Sequence, residues 1–396
     1  MPTRTTRRGF LRAAASGAAG LILAGRSSDA APPAARPGEL LVYVGTYTSG
    51  RSEGIYLCRL QLSTGELRQA GVTRGVEDPS YLALDRRRRR LYAVNEVTQY
   101  EGRPSGAVSA FAVERTGELR FINKQPSMGG APCYVSVTEA GRFVLVANYV
   151  GGNVVVLPVR ADGGLGAAAD VKQGTAATRA VPERQEAPHA HCVLLDRGER
   201  HAYVCDLGAD KVMVYDFDAR GGRLTPARTP WASLAPGAGP RHLAFHPRGR
   251  HAYVLNELNS TVTVFEHDRG GGGLREVQTV AALPAGFEGE NTGADIHVAP
   301  GGRFLYCSNR GHDSIAVFAV DARTGALTPA GHEPTRGKTP RNFAIDPTGA
   351  FLLAANQRSD TITVFRLDPR TGRPDFTGHS LEVPSPVCLK LTEPFS

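Results

Sequence analysis

Histidine, arginine and glutamate residues occupy equivalent positions of a sequence repeat in this chain. When the copies of the repeat are aligned, ionisable residues lie at the start of one apolar segment and directly after the end of the next. The residues at these points include His191, Arg241, Arg341, Glu96, Glu257 and Arg310. Arginine offers a planar fork of donors that fits a carboxylate or a phosphate, and histidine gives or takes a proton near neutral pH. These residue types predict a site that binds and polarises a small, oxygen-rich anion.

The repeat consists of a short apolar strand, a turn rich in Gly and Arg, a second strand that ends in Asn, and a third strand. Clear copies are residues 79–96, 240–268 and 340–368. The residue that ends the second strand recurs at steps of 53, 58, 50, 53 and 47 residues, at Asn95, Asn148, Asp206, Asn256, Asn309 and Asn356. Such spacing indicates one supersecondary unit that is copied several times.

These units predict an all-β fold, a seven-bladed β-propeller over residues 40–396. Each unit holds about four short strands bounded by Gly, Pro, Asp and Asn, and a spacing near fifty residues fits a propeller blade. A seventh copy is split, because residues 40–60 supply its second and third strands and residues 385–391 supply its first. The C-terminal strand is therefore expected to pair with the N-terminal strands in one blade and close the ring. A β-sandwich or a solenoid is the alternative, but a solenoid does not need complementary ends.

A hairpin places the start of its first strand and the end of its second strand at the same edge, so the aligned residues should face one mouth of the central channel. Loops at that mouth can carry chemistry because rigid strands hold them. His189 lies two residues before His191, and Asp295 begins the first strand of another unit. The expected catalytic residues are His189, His191, Arg241, Glu257 and Arg310, and the expected substrate-binding residues are Glu96, Arg341 and Asp295. Lactone opening needs an activated water and donors directed at a developing oxyanion, and this set supplies both.

Structural roles compete with this interpretation. Arg241 and Glu257 come from one unit and could simply pair across a hairpin. His242 is expected to point to the opposite face of its strand, into the core. The recurring Asn residues are too regular to be catalytic, and we expect them to hydrogen-bond strand ends and loops between blades. Cys133 lies at the ring, but no neighbouring residue type favours a nucleophilic triad.

The N-terminal segment 6–25 differs from the repeat. RRGFL (7–11) precedes a mildly apolar stretch rich in Ala and Gly, a pattern that resembles a twin-arginine export signal. The stretch is too short for a stable membrane span, and no Cys follows it to carry a lipid anchor. We therefore predict a signal peptide over residues 1–30, handled by the twin-arginine translocase, and a flexible linker over residues 31–39. The mature protein would be secreted or periplasmic.

Charge and cysteine usage exclude several classes of protein. The formal net charge is +8, and without residues 1–30 the chain has 41 basic and 37 acidic residues, which is too mild to imply nucleic acid. No cysteine pair has the CxxC spacing of a metal site, and most cysteines are expected to be small buried hydrophobic residues. Because GxSxG, HExxH, P-loop and dinucleotide motifs are also absent, we predict no metal and no cofactor.

Several phrases resemble the lactonase family of seven-bladed propellers, which includes a bacterial type of 6-phosphogluconolactonase and the fungal carboxy-muconate cyclase. Among them are YVGTYTSG (43–50), PHAHCVLLD (188–196), GPRHLAFHPRGRHAYVLNEL (239–258) and TGADIHVAPGGRFLYCSNRG (292–311). The resemblance covers residues 40–392 and implies a metal-independent site at one mouth of the channel. The family's His, Arg, Glu and Arg would fall on His191 or His189, Arg241, Glu257 and Arg310.

The combined expectation is an exported, lactonase-type hydrolase that opens a sugar lactone. Arg241 and Arg310 would bind the anionic part of the substrate and the oxyanion, either histidine would activate water, and Glu257 would orient its neighbours. Two alternatives stay open: an extracytoplasmic propeller that binds or scaffolds without catalysis, and a cyclase that forms lactones at the same site. Export departs from the cytoplasmic metabolism of phosphorylated sugars, so either the substrate is a different lactone or sugar acid, or export was added to an inherited scaffold.

Overall fold

The structure is a computed structural model and describes residues 38–87 and 89–395. The predicted signal peptide and all but the last two residues of the predicted linker lie outside the described residues. The first strand begins at Glu39, the last residue of that linker. No helix among the described residues is long and apolar enough to cross a membrane.

Seven four-stranded antiparallel sheets form the blades of the described chain. Blade 1 begins the chain with β1 (Glu39–Thr46), β2 (Gly54–Gln61) and β3 (Leu67–Arg74). Blade 2 contains β4 (Leu82–Asp85), β5 (Arg90–Asn95), β6 (Ala107–Val113) and β7 (Leu119–Pro126). Blade 3 contains β8 (Pro132–Val137), β9 (Phe143–Asn148), β10 (Asn153–Pro158) and β11 (Asp170–Gln173). Blade 4 contains β12 (Ala190–Leu195), β13 (His201–Asp206), β14 (Lys211–Asp218) and β15 (Arg223–Ser233).

The remaining blades repeat this order. Blade 5 contains β16 (Pro240–Phe245), β17 (His251–Asn256), β18 (Thr261–His267) and β19 (Leu274–Ala281). Blade 6 contains β20 (Thr292–Val298), β21 (Phe304–Arg310), β22 (Ser314–Val320) and β23 (Leu327–Pro334). Blade 7 contains β24 (Pro340–Ile345), β25 (Phe351–Asn356), a 3-10 turn (Gln357–Ser359), β26 (Thr361–Leu367) and β27 (Pro374–Glu382).

The last strand, β28 (Pro386–Thr392), joins blade 1 and closes the ring. It pairs antiparallel with β1, from Leu41 opposite Thr392 to Thr46 opposite Pro386. The predicted seven-bladed propeller with a shared first blade is therefore confirmed. Closure removes a free sheet edge, which would otherwise offer unpaired backbone groups to other chains.

Adjacent blades are joined by buried aromatic side chains of their second strands. The Tyr253 hydroxyl donates to the carbonyl of Gly325 in the next blade at 3.1 Å. Gly325 has φ of +72°, and a Cβ there would lie 2.4 Å from the His251 ring, so the hairpin needs glycine. Equivalent bonds join Tyr43 to Gly117, Tyr203 to Gly272 and Tyr306 to Gly372. The recurring TG and GG hairpins of the sequence are thus contact points between blades.

The recurring Asn residues end the second strands and hold the loops beside them. The side-chain amides of Asn148 and Asn309 donate to the carbonyls of Ser127 and Ala282, both at 2.8 Å. Asn356 donates to the carbonyl of Thr335 at 3.2 Å. The expected scaffold role of these residues is confirmed.

A backbone irregularity near the start of the innermost strands directs side chains into the channel. The ladders of blades 3, 4, 5 and 7 each skip one residue, namely Cys133, His191, Arg241 and Arg341. A bulge of this kind turns the extra residue out of the regular alternation. Consequently Arg241 and His242, although consecutive, line the same cavity, as do Arg341 and Asn342.

Candidate active site

Glu257 is the centre of what we call the arginine cluster, which consists of Glu257, Arg184, Arg241 and Arg310. Its Oε2 accepts from Arg241 Nε at 2.9 Å and lies 3.0 Å from Arg310 Nη2. Its Oε1 accepts from Arg184 Nη2 at 2.6 Å. Arg310 also donates to the carbonyl of Gly293 at 2.9 Å, and Arg241 donates to that of Ala294. Residues from blades 5 and 6 and from one loop therefore hold two buried guanidinium groups in fixed positions.

The arginines keep Glu257 charged. Burial alone would raise the pKa of this carboxyl, but Arg310, Arg241 and Arg184 together hold it well below its ordinary value. Burial in turn lowers the pKa of Arg310 to about 9, against the opposing effect of Glu257. At neutral pH the cluster thus contains a fixed carboxylate and charged guanidinium groups.

Two buried polar atoms of the described residues at this site lack a hydrogen-bond partner. Among the described residues, Nε of Arg310 is buried without a hydrogen-bond partner. Nδ1 of His191 is buried and unpartnered in the same sense. Unsatisfied buried polar atoms are uncommon and point to a bound water, ligand or reactant. Both atoms are therefore candidates for contact with substrate.

His191 is the histidine that faces the arginines. Its ring meets those of Tyr149 and His242 edge-on, with centroids 5.5 and 5.3 Å away. Burial, Arg241 and His242 lower the pKa of His191 well below its ordinary value. The ring is consequently neutral at pH 7, so one of its two nitrogens carries an unprotonated lone pair.

His189 has a different environment, although it was predicted as an equal candidate. Its ring stacks on Tyr149 with centroids 4.4 Å apart. Nδ1 lies 2.9 Å from the carbonyl of Tyr149, and Nε2 lies 3.0 Å from the Glu186 carboxylate. Both ring nitrogens thus have protein partners, and the geometry favours His191 over His189 for proton transfer.

Glu96 forms a second group across the channel, which we call the hydroxyl cluster: Glu96, Tyr47 and Ser80, with Arg341 beside them. The hydroxyls of Tyr47, at 2.9 Å, and Ser80 both donate to Oε2 of Glu96. Arg341 donates to the Tyr47 hydroxyl at 3.0 Å and covers the face of its ring. Burial raises the pKa of Glu96, and Arg341 and the two hydroxyls only partly oppose this.

A third buried group, which we call the floor, adjoins these two clusters and is centred on Asp295. Asp295 accepts from His242 Nδ1 at 2.7 Å through one oxygen and from His297 Nε2 at 2.9 Å through the other. Asn342 also donates to Asp295. Burial would raise the pKa of Asp295, but His297 and His242 hold it well below its ordinary value. Asp295, predicted to bind substrate, thus lies at the centre of this floor with its oxygens engaged by protein donors.

The prediction that the His242 side chain points away from the channel was wrong. It is buried, as expected, but the bulge at Arg241 turns it toward the channel. Its Nε2 lies 3.1 Å from Arg241 Nη1, while Nδ1 faces Asp295. Burial and Arg241 lower its pKa to about 4, so the neutral ring accepts from Arg241. Strict alternation along a strand, the basis of the prediction, fails at a bulge.

The cavity between the clusters is small. Its space for the centre of a water molecule is about 10 Å³, room for about one water. Glu96, Arg241, His242 and Arg341 are among its lining residues. A larger cavity of about 420 Å³ lies at the other end of the strands, beside Arg86, Arg87 and Thr392. The charged and ionisable residues named above line the smaller cavity, so we assign the site there.

Two features escaped the sequence analysis. Arg184 lies in the segment between β11 and β12, outside the repeat, so alignment of the blades gives it no counterpart. Tyr81 and Tyr134 meet the His242 ring edge-on, and Asn342 donates to Asp295. These three residues therefore belong to the floor, and a search of two consecutive residues per blade would have found them. The described residues contain no group of three or more His, Cys, Asp or Glu side chains arranged to hold a metal. All six cysteines are free and buried.

Comparison with known proteins identifies the family. The profile of the seven-bladed β-propeller lactonases matches residues 41–391. This chain belongs to that lactonase family. A 6-phosphogluconolactonase of Bacillus subtilis is 40% identical over 305 residues, which span 77% of this chain and 84% of the relative. A 6-phosphogluconolactonase of Pectobacterium carotovorum is 38% identical over 257 residues, 65% of this chain and 73% of the relative.

A solved structure extends the similarity to the whole ring. The periplasmic gluconolactonase of Pseudomonas aeruginosa is 37% identical, with a TM-score of 0.85, and the match covers 90% of this chain and 100% of that structure. The predicted resemblance to lactonase propellers is therefore confirmed. Membership in the lactonase family identifies the chain as an enzyme. The roles of individual residues are inferred from the geometry of the site.

Proposed function

We propose that this protein hydrolyses the lactone of a sugar acid at the mouth that holds the arginine and hydroxyl clusters. The observation that carries the proposal is the pair of unpartnered buried atoms, His191 Nδ1 and Arg310 Nε, beside guanidinium groups fixed by Glu257. A neutral base and fixed cationic donors are the two requirements for attack of water on an ester carbonyl.

The roles follow from the charges. Arg241 and Arg310 stabilise the oxyanion that forms when water adds to the carbonyl carbon. His191, neutral at pH 7, accepts the proton of that water. Glu257 stays ionised and orients the arginines, because three guanidinium groups surround it. The carbon–oxygen bond of the ring then breaks, and the product is an open hydroxy acid.

Relatives suggest two substrates. The Bacillus protein is named for a phosphorylated lactone and the Pseudomonas protein for gluconolactone in the periplasm. The export signal predicted from RRGFL (7–11) favours the second setting. We therefore propose an exported enzyme that acts on an unphosphorylated sugar lactone.

A screen with purified residues 31–396 tests the proposal. Proton release from D-glucono-δ-lactone and from its 6-phosphate is compared with the spontaneous rate. We expect hydrolysis, faster for the unphosphorylated lactone, and a loss of about 10²–10³-fold in kcat for Arg310→Ala, because one oxyanion donor is removed. Spontaneous rates in the wild-type protein with both substrates would contradict the proposal and favour a binding or scaffold role.

A further inference from the structure

Glu96 is placed to exchange a proton with a molecule in the channel. Both donors that reach its carboxyl, from Tyr47 and Ser80, converge on Oε2. No described residue forms a hydrogen bond to Oε1. The side chain lines the cavity that has room for about one water, together with Arg241 and Arg341. One carboxyl oxygen is therefore anchored while the other stays available.

The surroundings of Glu96 also favour its neutral form more than those of Glu257 do. Burial raises its pKa, opposed by Arg341, by the hydroxyls of Ser80 and Tyr47, and by Arg241. Cys133 faces the same space, and burial raises the pKa of its thiol well above the ordinary value, so it stays uncharged. Two carboxyls in one site whose pKa values are pushed apart indicate separate roles, one fixed charge and one proton carrier.

Lactone opening needs such a carrier. Cleavage of the ring expels an alkoxide, which is a poor leaving group unless a general acid protonates it. His191 is neutral and accepts the proton of water, and the guanidinium groups donate hydrogen bonds but keep their protons. His191 therefore supplies the base and the arginine cluster supplies the oxyanion donors, and neither provides a group that releases a proton at neutral pH.

We propose that Glu96 is the general acid that protonates the ring oxygen as the carbon–oxygen bond breaks. The inference rests on the proposed lactone hydrolysis and deepens it. Water supplies the new carboxyl oxygen and gives one proton to His191. The Oε1 proton of Glu96 passes to the leaving oxygen, which becomes a hydroxyl. Transfer of the His191 proton to Glu96 through solvent then restores the site, and the product acid releases the proton that the assay detects.

The experiment is the pH dependence of kcat for glucono-δ-lactone, after subtraction of the spontaneous rate. Wild-type kcat should fall as pH rises through the pKa of Glu96, because only the protonated acid is active. Glu96→Gln should lose about 10²–10⁴-fold in kcat and should no longer show this decline, whereas a separate decline at about pH 9, the pKa of Arg310, should remain in both proteins. Ser80→Ala removes a donor that favours the charged carboxylate, so its decline should move to higher pH by roughly 0.5–1 unit.

The outcomes separate the two proposals. If Arg310→Ala loses activity but Glu96→Gln keeps at least a third of the wild-type kcat, or keeps the decline assigned to Glu96, Glu96 is not the acid and lactone hydrolysis stands. If Ser80→Ala moves the decline to lower pH, the assignment is also wrong. A wild-type protein without lactonase activity overturns both proposals. Thermal unfolding of each variant establishes that the ring is intact.

Discussion

Glu257 and Glu96 occupy the same position of two blades and have opposite surroundings. Each directly follows the Asn that ends a second strand, in the phrases LNE and VNE. Glu257 contacts three arginines, and its pKa is held well below the ordinary value. Glu96 contacts two hydroxyls, and its pKa is raised by burial. Equivalent residues of a repeat thus acquire different chemistry from the blades beside them.

The difference begins in the first strand of each blade. Arg241 and Ser80 are the aligned residues there, and each contacts the glutamate of its own blade. The other partners come from elsewhere: Arg310 from blade 6 reaches Glu257, and Tyr47 from blade 1 reaches Glu96. An arginine in the first strand and another from a neighbouring blade give one side of the ring its ion pairs. A serine and a tyrosine at the corresponding places give the other side its hydroxyl contacts.

The largest expected effect is on stability, from Glu257→Gln. Removal of this carboxylate leaves buried Arg241 and Arg310 without their counter-charge, which costs about 3–5 kcal/mol in the free energy of unfolding. Urea denaturation at pH 7 measures it. The matched variant Glu96→Gln should cost less than about 1 kcal/mol, because an amide can accept the same hydroxyl donors. Equal losses in the two variants would contradict the distinction between the two sides.

The next effect is on activity, from His191→Gln. Loss of the neutral base should lower kcat by about 10²-fold or more. The control is His189→Gln, whose ring nitrogens contact the protein instead of the channel, and it should keep kcat within about threefold. Steady-state kinetics on glucono-δ-lactone decide between the two histidines. A larger loss in the His189 variant would reverse our assignment.

A smaller effect is expected from Arg184→Ala. The Arg184 side chain is 35% exposed and that of Arg241 only 3%, although both contact Glu257. A partly exposed ion pair contributes about 1 kcal/mol or less, so Arg184→Ala should cost about that much in unfolding free energy. Arg241→Ala should cost several times more. Similar urea midpoints for the two variants would show that burial does not set the strength of this cluster.

Acid should reveal the same asymmetry. Because the folded-state pKa of Glu257 lies below its unfolded value, its contribution is fully present above about pH 4.3 and is lost as pH falls through the folded pKa. Glu96 has a raised pKa, so its contribution has the opposite sign and declines as pH rises. The stability difference between wild type and Glu257→Gln should therefore shrink in acid. Urea midpoints measured from about pH 3 to about pH 7, which spans the range in which carboxyls titrate, would show this.

Much of this molecule could be predicted from the repeat. The Asn positions gave the register of the blades, and the split copy gave the closing pair of β1 and β28. The same register located Arg241, Glu257 and Arg310 at one mouth. It could not show the bulge at Arg241, which depends on backbone geometry and turns His242 inward. Nor could it reveal Arg184, which lies in a loop without a counterpart, or the opposite pKa shifts of two glutamates that the alignment treats as equal.

The most direct test of the account is a titration of the two carboxyls themselves. Protein labelled with ¹³C at the glutamate carboxyl carbon is followed by NMR, and Glu96→Gln and Glu257→Asp each remove one resonance and so assign it. We predict that the Glu96 resonance titrates above the ordinary glutamate pKa of about 4.3, while that of Glu257 stays unchanged down to that pH. Titration of both resonances near the ordinary value, or of Glu257 above Glu96, would contradict the central claim that the ring divides into a fixed charge and a proton carrier.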